Sequence, residues 1–136
     1  MVFTDAELAY LRSQRLGRLA TVGPDGGPQN NPVGFRVDAD AGTIDIGGWN
    51  LGASRKFHNV ETHPQVAFVV DDLESVDPWK VRGVQVRGAA EALTNQQVPG
   101  TGTGGEVIRI HPRRLQSWGL GADGKQGSRR TIPQTG

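Results

Sequence analysis

No cysteine occurs in the 136 residues. That excludes a disulfide framework, a thiolate metal site and a cysteine nucleophile. Long apolar stretches are also missing. The longest, "VAFVV" (66–70), is far too short to span a bilayer. The first residues, "MVFTDAELAYLRSQ", lack a basic start followed by an apolar stretch and so do not read as a secretory leader. A cytoplasmic protein is expected. Charge of one sign is missing too. The formal net charge is +1, which gives no general attraction to nucleic acid or to a membrane, so any anion recognition must be local. The three histidines, His58, His63 and His111, have no partner His four residues away, and no carboxylate cluster has metal-ligand spacing. No G-x-S-x-G elbow is present. Neither a metal site nor a catalytic triad is expected.

Glycine, in contrast, is abundant at 20 residues, and it punctuates a pattern of short strands. A helix comes first. Thr4 and Glu7 have capping-box spacing, and Phe3 and Leu8 have hydrophobic-staple spacing. The period then changes to two. "GRLATV" (17–22), "NPVGFRV" (31–37) and "TIDIGG" (43–48) read as three strands joined by Gly/Asp turns. A second helix runs from about Ser54 to Thr62 with Phe57 and Val60 as its buried stripe, stopped by Pro64. "QVAFVVDD" (65–72) is continuously apolar at its centre and reads as a strand covered on both faces. "VRGVQVRGAAEAL" (81–93) is a long strand with Gly83 and Gly88 as bend points, and "EVIRIHP" (106–112) is the last strand. About six closely spaced strands and two small helices predict a mainly β protein, a small closed or partly closed antiparallel barrel. Residues 94–105 and the segment from Gly119 are polar, Gly-rich and aperiodic. The split is therefore a domain over 1–120 and a flexible tail over 121–136.

"GTGTGG" (100–105) has the letters of a dinucleotide fingerprint. It is followed by "EVIRI", a strand pattern, where that reading needs a helix, so a hairpin connection is the better account. "GASRKFHNV" (52–60) is more informative. Arg55 and Lys56 stand in the first turn of the second helix, where the helix dipole disfavours cations by about 0.3–1 kcal/mol each. Either solvent screens them, or an anion sits on that helix end. Ser54 supplies a hydroxyl at the same place, and the glycine-rich "GGWNLGA" before it permits close approach to the backbone. Both features favour an anion, and a phosphate above all. Trp49, Trp79 and Trp118 lie outside the strand interiors and are candidates either for packing or for the wall of a flat ligand.

The stretch "GTIDIGGWNLGASRKFHNVETHPQVAFVV" resembles the heart of the pyridoxamine 5′-phosphate oxidase-like, FMN-binding split-barrel superfamily. "VRGVQVRGAAEAL" is similar to the family's next strand and "VIRIHPRRLQSWGL" to its close, so the likeness covers roughly residues 4–120. The short chain and the ending "RLQSWGL" look most like members that use the deazaflavin coenzyme F420; FMN is the alternative. The resemblance implies a six-stranded antiparallel split β-barrel, homodimeric, with the cofactor at the interface. It implies that Ser54, Arg55 and Lys56 hold the cofactor phosphate, that Asn31, Pro32, Val33 and Gly34 line the ring, and that Ile46, Gly47 and Gly48 flank the ribityl chain. Trp79 would come from the partner subunit. The implied activity is hydride transfer between F420 and a small unsaturated organic substrate. The rivals are an FMN-dependent oxidase or reductase, a non-catalytic carrier or sensor, and a plain structural barrel that binds no cofactor. No catalytic side chain is implied, because the cofactor carries the chemistry.

Overall fold

The computed structural model describes residues 1–96, 105–121 and 127–134. A short helix, α1 (Asp5–Ser13), opens the chain. The antiparallel strands β1 (Leu16–Val22), β2 (Pro28–Asp38) and β3 (Thr43–Ile46) follow. A single 3-10 turn (Leu51–Ala53) leads into α2 (Arg55–Thr62). Strands β4 (Gln65–Ser75), β5 (Lys80–Leu93), β6 (Val107–Trp118) and β7 (Ser128–Thr131) complete the chain. The strand order is β3-β2-β1-β4-β5-β6-β7. A further pairing of β3 with β6 closes the first six into a barrel.

The two-residue period explains the interior. Leu19, Ile44, Ile46, Phe68, Val70, Val84, Val86, Ile108 and Ile110 point inward and are buried. α1 forms as its sequence dictates, with the Thr4–Glu7 capping box present in both directions. Phe57 and Val60 of α2 are buried, as the stripe predicts. The centre of β4 differs from expectation. Val66, Phe68 and Val70 are buried, but Ala67 and Val69 on the opposite face are only half-buried.

β6 also runs further than its sequence suggests. Pro112 does not end it, because the ladder with β5 shifts register there, between Arg87 and Gly88, and a residue without an N–H is tolerated at a bulge. Gly88 is required at that point, since a Cβ would run into the His111 carbonyl. Gly83 has a similar role: the indole of Trp118 lies against it, in the space a side chain would fill.

The reading of 121–136 as a flexible tail needs correction, because its residues Ser128–Thr131 form β7. Strand β3 is only four residues long and covers just the first half of one edge of β6, at Ile108–Ile110. β7 takes the second half of that edge, at Arg114–Ser117. An exposed strand edge is thus paired over most of its length. Arg130 of β7 reaches α1, donating to both carboxylate oxygens of Glu7 (3.0 and 2.5 Å) and to the Val2 carbonyl (2.6 Å). Among the described residues no helix is long and apolar enough to cross a membrane.

Candidate functional site

The start of α2 is built locally. Ser54 Oγ accepts from the Phe57 amide at 3.3 Å and donates to the Leu51 carbonyl at 2.6 Å. Its hydroxyl is therefore committed to the cap and to the preceding turn. The amides of Arg55 and Lys56, next in the helix, lack an intrahelical acceptor by geometry. Arg55 is exposed and Lys56 half-buried, and among the described residues neither forms an ion pair. The nearest histidine, His58, is held by Glu61 at 2.9 Å.

Gly47 and Gly48 connect β3 to this turn. The β2–β3 ladder ends at Phe35↔Ile46, so Gly34 and Gly47 lie just past its last pair. Pro32 and Gly34 face outward and are exposed, whereas Val33 and Ile46 turn their side chains into the core. Val33 and Ile46 can therefore offer a ligand only their backbone. A side chain built at Gly34 or Gly48 would meet nothing within 4 Å. This stretch of backbone is open to close approach from outside.

The β2–β3 pairing at Phe35↔Ile46 and the Asn59–Gln29–Asn31 hydrogen bonds connect β2, the end of β3 and α2 into one region. Trp79 is not part of it. It is 67% exposed at the tip of the β4–β5 hairpin. β4 has eleven residues, so that tip lies a full strand length, roughly 35 Å, from the end of β4 beside α2. Trp49 is also exposed, at 86%, beside Asn50 in the left-handed region. "GTGTGG" lies almost wholly outside the described residues.

A cavity of about 980 Å³ lies between the β1–β2 turn and α2, lined by Pro24, Asp25, Gln29, Arg55, His58 and Asn59, among others. Its floor is polar. Asn59, buried on α2, donates through Nδ2 to Thr21 Oγ1 (3.0 Å) and to Gln29 Oε1 (3.2 Å). Gln29 Nε2 then donates to Asn31 Oδ1 (2.7 Å). Sequence reasoning missed Thr21, Gln29 and Asn59. Thr21 shares its face of β1 with Leu19, and that inward parity was the available signal. Gln29 lies before the point where alternation becomes legible.

Residues 3–118 match the pyridoxamine 5′-phosphate oxidase family. The chain belongs to that family. It is 50% identical over 124 residues to the 5a,11a-dehydrotetracycline/5a,11a-dehydrooxytetracycline reductase of Streptomyces rimosus subsp. rimosus, covering 90% of this chain and 87% of that protein. Among solved structures it is similar to the conserved hypothetical protein Rv2991 of Mycobacterium tuberculosis, with TM-score 0.64 and 28% identity over 85% of this chain and 84% of that one. An F420 reductase shares the fold, with TM-score 0.57 and 23% identity over 74% of this chain and 88% of that one. The oxidase-family fold is one that binds flavin-type cofactors, and the residues here fit such a group. Two cations that form no ion pair among the described residues stand at a helix start, and a side chain added at Gly34 or Gly48 would meet nothing within 4 Å.

Proposed function

We propose that this pyridoxamine 5′-phosphate oxidase-family protein is an oxidoreductase that uses F420 to reduce a small unsaturated organic substrate. The observation that carries the reading is the 50% identity, across nine-tenths of the chain, with a reductase named for a dehydro compound. When bound, the deazaflavin supplies hydride transfer at its ring. The chain's own residues bind it, orient it and keep water away. Arg55 and Lys56 hold the phosphate by charge-assisted hydrogen bonds, together with the amides at the start of α2. Ser54 fixes that helix start through its cap. Asn31, Pro32, Val33 and Gly34 line the ring, and Ile46, Gly47 and Gly48 flank the linking chain. A homodimer completes the site, with Trp79 supplied by the second protomer. Two features support this: Trp79 is exposed and far from its own α2, and Ala67 and Val69 form a half-buried outer face of β4.

The test is a titration of the apoprotein with F420 and, separately, with FMN, followed by turnover with a reduced F420 supply and a dehydrotetracycline-type acceptor. Tight F420 binding with consumption of the acceptor supports the reading. Preferential FMN binding with oxygen consumption would replace the cofactor. Binding without turnover on any acceptor would leave a carrier, and no binding at all a structural barrel.

A further inference from the structure

The polar chain under the cavity has a direction. Thr21 and Asn59 are each 2% exposed, so every hydrogen bond lost there leaves a desolvated group. Asn59 uses both protons of its Nδ2, one on Thr21 and one on Gln29 Oε1. That orients the Gln29 amide with its oxygen toward α2 and its Nε2 toward Asn31. Asn31 must then present Oδ1 to Gln29. Its Nδ2, which has two protons to donate, is turned away from the chain, and among the described residues no acceptor takes it. Asn31 is half-buried and belongs to the stretch of β2 proposed to line the ring.

We propose that Gln29 and Asn59 are positioning residues that lock the Asn31 side-chain amide so that it offers a donor, Nδ2, to a carbonyl oxygen or ring nitrogen of the bound cofactor. The inference rests on the site proposed above. Three elements meet in this one chain: β1 through Thr21, α2 through Asn59 and β2 through Gln29 and Asn31. The helix that carries the phosphate-binding cations thereby also sets the hydrogen-bonding polarity at the ring.

The test uses F420, with FMN in parallel, titrated into the full chain. Asn31→Asp keeps the acceptor that Gln29 needs and replaces the Nδ2 donor with a charged oxygen that can only accept. It is expected to weaken binding about tenfold or more and to shift the visible band of the bound cofactor. Gln29→Met, which leaves Asn31 free to rotate, is expected to weaken binding several-fold. In an Asn31→Ala background the same change should have almost no effect, because contacting residues that act through one another are not additive. Should Gln29→Met unfold the protein, Gln29→Glu must show the same pattern, since it retains the acceptor for Asn59 and loses the donor for Asn31. Equal effects of the Gln29 changes in both backgrounds would make them merely structural and overturn the proposal. Full affinity in Asn31→Asp, or a silent Asn31→Ala, would overturn it too. If these variants are silent but loss of Arg55 and Lys56 abolishes binding, the positioning role fails and the site stands. If loss of the two cations is also silent, the site itself fails and the proposal with it.

Discussion

Replacing Arg55 and Lys56 should move stability and ligand affinity in opposite directions. The two side chains stand in the first turn of α2, with no ion pair among the described residues and no acidic residue in that turn. In the free protein each cation opposes the helix dipole by about 0.3–1 kcal/mol, with Arg55, the more exposed, toward the lower value. Alanine at either position should therefore leave the protein as stable as before or raise its melting temperature by about 1–4 °C. Affinity should fall. A hydrogen bond to a charged group contributes about 1.5–3 kcal/mol, so each single change should raise Kd for F420 by about 10- to 100-fold. Arg55 borders the large cavity and Lys56 does not, so the two changes should be separable by ligand size: inorganic phosphate should register both, and a longer ligand should depend more on Arg55. Fluorescence titration gives Kd and a thermal melt gives stability. Added salt should weaken binding to the native protein and affect the double variant less. Unchanged Kd in Arg55→Ala/Lys56→Ala would refute the phosphate site. A fall in affinity and melting temperature together would show that the cations are structural.

Other outcomes follow from the rest of the molecule. Burial raises the Glu7 carboxyl pKa, but hydrogen bonds from Arg130 and the Thr4 amide outweigh it and hold the group below the usual glutamate range. Its contribution is then fully present above the unfolded pKa and lost as pH falls through the lower folded one. Glu7→Gln should therefore cost stability at pH 7 and flatten the loss as pH falls below the ordinary glutamate range in denaturant titrations; an unchanged acid slope counts against the clamp. Arg130→Ala strands a buried carboxylate and should cost about 3–5 kcal/mol, whereas a truly flexible tail would make it neutral. In sedimentation at micromolar protein a homodimer is expected, with Trp79→Ala weakening cofactor binding; a stable monomer that binds at full affinity would rule out the shared site. Replacing "PGTGTGG" (99–105) with Asn-Gly should leave folding and cofactor affinity near normal, because loop closure depends only weakly on length; lost binding would return the glycines to a dinucleotide role.

Local rules alone determined a good part of this protein. The capping box of α1, the Phe57–Val60 stripe of α2 and the inward alternation of Ile44, Ile46, Phe68 and Val70 were legible, because each depends on spacing within one element. The oddity of Arg55 and Lys56 was legible for the same reason: a helix dipole acts within one turn. Tertiary structure decided what depends on partners far along the chain. Whether β6 continued past Pro112 depended on a bulge opposite Gly88 in another strand. Whether residues 128–131 were ordered depended on the edge that a four-residue β3 left open, and on a Glu7 that lies 123 positions away from Arg130. Asn59 and Gln29 carry no spacing signal, and the inward parity that Thr21 shares with Leu19 names no partner. They become one hydrogen-bonded chain only when α2 is packed over the β1–β2 hairpin, because direction in a buried amide chain is set by neighbours in space and not by neighbours in sequence.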